Sequence, residues 1–96
     1  MHKVVFQDTV CTVQAGRYLN GSPAITLIEE ETQEDYCVAT VNIGELEKGF
    51  VAIKNYSENE GILECLIKHK IVDKPVRFQP SGFVIVPICK LLIKLE

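Results

Sequence analysis

One stretch of the chain, SENEGILECLIKH at residues 57–69, carries a helical period, while most of the other apolar residues alternate with a period of two. A mainly β chain with a single helix to place is the consequence. Ser57 followed three residues later by Glu60 has the spacing of a capping box: the serine oxygen accepts from an early helical amide, and the glutamate reaches back. Glu58 and Glu60 also lie where the positive end of a helix dipole favours carboxylates. Ile62, Leu63, Leu66 and Ile67 form one apolar stripe, and Lys70 would fall at its centre, so the helix is predicted to stop near His69. Asn59 projects onto that stripe in the first turn, which aims its amide at the strands beneath.

The flanking segments read as strands. In residues 3–19, Cys11, Val13 and Ala15 share one face and Val10, Thr12 and Gln14 the other, with a break near Gln7-Asp8. Asn20-Gly21 is predicted to form a type I′ hairpin turn, since this pair best tolerates positive φ at both central positions. A second strand at 23–30 places Ile25 and Leu27 together. The acidic run IEEETQEDY (28–36) is read as a hairpin tip, where like charges cost least, and a third strand runs over 36–41. Residues 42–48 form a connection with room for a helical turn, and 49–54 return to strand. After the helix, Val76-Arg77-Phe78 leads through Gln79-Pro80-Ser81-Gly82 into FVIVPICKLLIKL, whose apolar density implies burial on both sides. Pro87 belongs on an edge or at a bulge. The apolar tail Leu91, Leu92, Ile93 and Leu95 either packs as a last strand or pairs with another subunit, which leaves a homodimer open.

At 96 residues, 47% hydrophobic and 24% charged, the chain has the composition of one globular domain over residues 1–96. The N-terminus lacks the apolar run of a signal peptide or membrane span, so a cytoplasmic protein without membrane attachment is expected. The net charge of −3 divides unevenly: residues 1–48 carry eight acids and three bases, residues 49–96 five acids and seven bases. Scattered lysines and the absence of Trp exclude a general nucleic-acid grip, which needs a basic face and stacking aromatics.

Cys11, Cys37, Cys65 and Cys89 lie 24 to 28 residues apart with no paired ligands, so no metal is expected and free thiols are. Glu58, Cys65 and His69 fall along one helix flank, which raises a nucleophile. Parallel side chains on one helix rarely aim sulfur at imidazole nitrogen, however, and Cys65 is far from the helix start that would lower its pKa. No phosphate-binding, metalloprotease or nucleophile-elbow motif is present, so neither catalytic residues nor a cofactor are expected.

The segments RYLNGSPAITLIEEE, YCVATVNI, FVAIKNYSENEGILECLI and SGFVIVPICKL, together covering roughly residues 17–91, resemble a family of small phage and bacterial mobile-element proteins defined as a domain of unknown function. The most specific parts are Asn20-Gly21, Thr40-Val41-Asn42, Lys54, Tyr56 through Gly61, and Ser81-Gly82-Phe83. The resemblance implies a setting in which accessory genes encode compact inhibitors or sequestering proteins acting on host defences, including CRISPR nucleases and nucleotide signalling. It carries no catalytic residue over. Asn42, Lys54, Tyr56 and Asn59 match without being explained by the turn or the cap, and a contact surface is expected there.

The fold expected is α+β: a twisted antiparallel sheet of five or six strands with one helix, about 57–69, packed on one face. The expected function is that of a noncatalytic binding protein inhibiting a host defence protein, for example a CRISPR nuclease, by stoichiometric contact in a bacterial cell. Asn42, Lys54, Tyr56, Glu58, Asn59 and Glu60 are the expected binding residues. Glu29, Glu30, Glu31, Glu34 and Asp35 form an acidic surface suited to a partner with a basic one. Two alternatives stay open. One is an oligomeric sponge for a nucleotide immune signal, with Lys54 and helix-start amides holding phosphate; the other is a structural or assembly protein with no inhibitory role.

Overall fold

A computed structural model describes residues 2–44 and 46–95. Its regular elements are β1 (Lys3–Phe6), β2 (Thr9–Arg17), β3 (Pro23–Glu29), β4 (Asp35–Val38), β5 (Phe50–Ala52), the helix α1 (Ile62–Lys68), β6 (Val72–Ser81) and β7 (Val84–Leu91). The chain is α+β and mostly antiparallel sheet, but the predicted single sheet is corrected to two, a four-stranded β1-β2-β3-β4 and a three-stranded β5-β7-β6.

The alternating faces are as the sequence predicts: Cys11, Val13 and Ala15 of β2 and Ile25 and Leu27 of β3 are buried, their neighbours are not. What divides the sheets is the segment after β4. Ala39 still donates to the Ile25 carbonyl at 2.8 Å, whereas Thr40 pairs with Ile53 in an isolated antiparallel bridge. The chain is thereby handed from β3 to the second sheet. Buried residues of both sheets, among them Val4, Phe6, Leu27, Val51, Val72 and Cys89, meet in one apolar cluster. Two sheets facing inward bury this surface without needing a cover along one broad flat face.

The helix was expected across a sheet face, from 57 to 69. Instead the helical segment runs from Ser57 to Lys68, beginning with a 3-10 turn, Ser57–Asn59, and it packs against β1 and β6, strands at the edges of the two sheets. Ile62 and Leu66 are fully buried there, each contributing roughly 1.5–3 kcal/mol. The flank of the same helix covers the open edge of β1. The Val5 N–H donates to His69 Nε2 at 3.2 Å, and Cys65 Sγ donates to the Val5 carbonyl at 3.3 Å.

The capping box does not form. Ser57 has φ 55, Glu60 is extended at φ −53 and ψ 128, and neither side chain caps the helix. The backbone turns between the 3-10 turn and α1 at Gly61, whose φ of 92 is the reason a glycine stands there. Asn55, reached because the segment folds back, supplies the cap: its Oδ1 accepts from the Leu63 N–H at 3.0 Å.

The hairpin turns are also redistributed. Gln7 and Asp8, at φ 52 and 61 between the paired residues Phe6 and Thr9, make the two-residue I′-like turn. At Asn20-Gly21 only Gly21 has positive φ, 88, while the Asn20 side chain accepts from Ser22 N–H at 3.1 Å. No helical turn occurs among the described residues of 42–48.

β7 lies between β5 and β6 and buries Val86, Pro87, Ile88 and Cys89 in succession, as its composition predicts. Pro87 is tolerated in this central strand because its pairing toward β5 ends there. Its carbonyl accepts from Ile53 N–H at 3.0 Å, and the Ile53 carbonyl, the natural acceptor for a donor at 87, takes the Asn55 N–H at 3.1 Å. Beyond β7, Leu92 N–H donates to the Ile71 carbonyl at 2.9 Å, and the tail leaves the sheet without making another strand.

Candidate functional site

The structure separates the residues predicted for binding. Lys54, Tyr56 and Glu58 come together: Lys54 Nζ donates to Glu58 Oε1 at 2.8 Å and stands 5.9 Å from the centre of the Tyr56 ring. The hydrogen bond to Glu58 raises the Lys54 pKa, and the same bond, seen from the carboxylate, lowers that of Glu58. Asn59 lies beneath this cluster with only 1% of its surface exposed, its Nδ2 donating to the Val38 carbonyl at 2.6 Å. Asn42 is elsewhere: its Oδ1 accepts from Asn20 Nδ2 at 3.1 Å and from Gly44 N–H at 3.3 Å. Glu60 is exposed. Lys54 is thus matched by a carboxylate, which opposes its use as a phosphate holder.

No nucleophile is assembled on the helix. Cys65 and His69 are spent on the backbone of Val5, and Glu58 faces Lys54. All four cysteines are unbridged, and burial pushes every one of their thiols up, Cys37 and Cys89 to about 11, so the reactive thiolate is disfavoured at neutral pH. Among the described residues no group of three or more His, Cys, Asp and Glu is placed to hold a metal ion.

The acidic residues do sit at a hairpin tip. Glu29 N–H donates to the Glu34 carbonyl at 2.8 Å, closing the β3–β4 connection, and Gln33 at φ 63 carries the turn. Glu31, Glu34 and Asp35 are exposed, Glu29 and Glu30 half-buried, and Glu30 pairs with Lys3. Asp8 joins them through the neighbouring turn, lining a shallow cleft of about 330 Å³ with Glu29, Glu30 and Glu31. Negative charge therefore accumulates on this end of the first sheet, with Lys3 its one described ion-pair partner.

A surface that sequence reasoning missed lies on the β6–β7 hairpin. Phe78 pairs with Pro87 and Pro80 with Ile85, so Phe78 and Ile85 project from the same face of the hairpin, 61% and 65% exposed. Val76, in the register shift between Pro75 and Arg77, is 59% exposed. At the tip, Gly82 at φ 62 and Phe83 form the two-residue turn between Ser81 and Val84, and Phe83 is fully exposed. The opposite face is closed by Val86 and Ile88 against Ala52, Val41, Ile43 and Leu46. Pro75 and Pro80 withhold two donors from β6, an edge strand, which blunts pairing along the edge and leaves the face as the usable surface. The signal in the sequence was Phe83 itself, an aromatic residue in a turn, where no neighbour can bury it.

No protein-family model, curated protein or solved structure matches the chain. The chemistry of its own surfaces is what distinguishes the candidate sites.

Proposed function

We propose that the chain is a noncatalytic binding protein whose principal contact surface is the apolar face of the β6–β7 hairpin, with the acidic tip as a second, charge-selective contact. The single observation carrying this reading is the grouping of Phe78 and Ile85 on one face of the hairpin, with Val76 earlier on β6 and Phe83 at the tip, all exposed. Contiguous exposed apolar residues mark contact sites, and aromatic anchors concentrate the energy of an interface. The resemblance to phage and mobile-element proteins supplies the setting: a host defence protein, such as a CRISPR nuclease, held by stoichiometric contact. Glu29, Glu31, Glu34 and Asp35 would steer a basic partner surface toward the hairpin.

The experiment is a plaquing assay in bacteria carrying an active defence nuclease, with the wild-type chain expressed beside Phe78→Lys/Phe83→Lys and Glu30→Lys/Glu34→Lys. Wild type is expected to restore plaquing, and the double phenylalanine variant to lose at least about tenfold of that effect, the size of loss that truncating a buried anchor produces. A phenylalanine variant that folds and inhibits fully would overturn the hairpin surface. An acidic-tip variant that inhibits fully would remove the tip.

A further inference from the structure

We infer that the cleft beside the C-terminal tail is a binding site for a single-chain anionic amphiphile, its apolar chain lying against the tail and its headgroup among Arg17, Lys48 and Lys94. The cleft has a volume of about 710 Å³, shares no lining residue with the exposed hairpin face, and stands independently of the protein-binding reading.

Charge is the first argument. In a chain of net charge −3, three of the ten basic residues line this one cleft. Among the described residues the carboxylate that lines it is Glu47, which is already engaged: Arg77 grips both oxygens, at 2.9 and 3.0 Å. Arg17 Nη1 donates to the Gly21 carbonyl at 2.8 Å, which fixes the guanidinium at the rim with further donors available among the described residues. Lys48 and Lys94 have no ion-pair partner among the described residues. A cation cluster of this kind in an acidic protein favours an anion.

The wall of the cleft sets the rest of the ligand. Leu91, Ile93, Leu95 and Pro23 supply apolar surface, and no aromatic side chain lines the cleft, so a nucleobase would find nothing to stack on. The tail that forms this wall does not continue a sheet after Leu92. A second cleft of about 460 Å³ shares Ile93, Lys94 and Leu95 and reaches Val13 and Ala15 on the inner face of β2. The apolar tail therefore borders two spaces. A flexible alkyl chain fits such a path, and a rigid planar ligand does not.

The test is calorimetric titration of the full chain with laurate, dodecyl phosphate and dodecanol, combined with amide chemical-shift mapping. An anion is expected to bind below about 100 μM and at least about tenfold more tightly than dodecanol, since charged hydrogen bonds carry that discrimination. Shifts are expected at residues 17–23, 46–49 and 91–95. The order between laurate and dodecyl phosphate identifies a carboxylate or phosphate head. Arg17→Gln/Lys94→Gln is expected to abolish the preference for the anion, with Lys74→Gln, outside the cleft, as the control. Equal affinity for dodecanol, shifts centred elsewhere, or an unchanged preference in a folded double variant would overturn the site.

Discussion

Asn59 and Cys89 show how burial redirects polar chemistry at single positions. The Asn59 amide points into the protein from the 3-10 turn, outside α1, and uses its N–H donor on the Val38 carbonyl while its Oδ1 has no partner among the described residues. That bond ties the 3-10 turn to β4. Cys89 is fully buried, and desolvation, with a smaller contribution from Asp73, pushes its thiol from 9.0 to about 11. The unfolded chain therefore loses this proton first. Between about pH 9 and pH 11 the folded state holds more protons than the unfolded one, so stability falls as pH rises through that window, and below it the effect vanishes. Urea unfolding should show the wild type losing on the order of 2 kcal/mol more than Cys89→Ala between about pH 8 and pH 11. Equal losses would show that the thiol titrates normally in the fold.

At the scale of elements, the position of the helix was legible and its start was not. The stripe from Ile62 to Ile67 identifies α1 because helical packing repeats the same side every three or four residues. A capping box, by contrast, requires backbone angles that spacing does not report, and Ser57 and Glu60 have others. Asn55 is the cap, so Asn55→Ala should cost about 1 kcal/mol in chemical denaturation, while Glu60→Ala should stay within about 0.5 kcal/mol of wild type. The reverse order would restore the capping box. The same logic moved the I′-like turn from Asn20-Gly21 to Gln7-Asp8. There the Gln7 side chain repays the strained turn by donating to the Glu58 carbonyl at 3.0 Å and accepting from Tyr36 Oη at 2.9 Å.

For the whole molecule, the seam at Thr40 joins the two sheets. Its buried hydroxyl accepts from Ile25 N–H at 3.1 Å and lies 3.0 Å from Tyr18 Oη, while its backbone bridges Ile53. Thr40→Val keeps the shape but orphans a buried amide, so unfolding free energy should fall by about 1–3 kcal/mol. A thermal or urea midpoint indistinguishable from wild type would show that the bridge alone holds the seam. The hairpin presents exposed apolar side chains, and the tail lines a cleft.

The buried faces of β2 and β3, the acidic hairpin tip and the helical stretch along the chain at 62–68 were determined by the sequence alone. Period and turn chemistry are local, and these features need nothing more. Which strands share a sheet, where α1 lies, and which residues of 42–60 meet were decided only by tertiary structure. An alternating strand specifies which side faces inward but not its neighbour, so the division at Thr40 could not be read from the pattern. Asn42 and Lys54 looked alike as unexplained polar residues, yet one anchors a loop and the other faces Glu58. The gathering of Arg17, Lys48 and Lys94 around one cleft arises from contacts between segments distant in the chain.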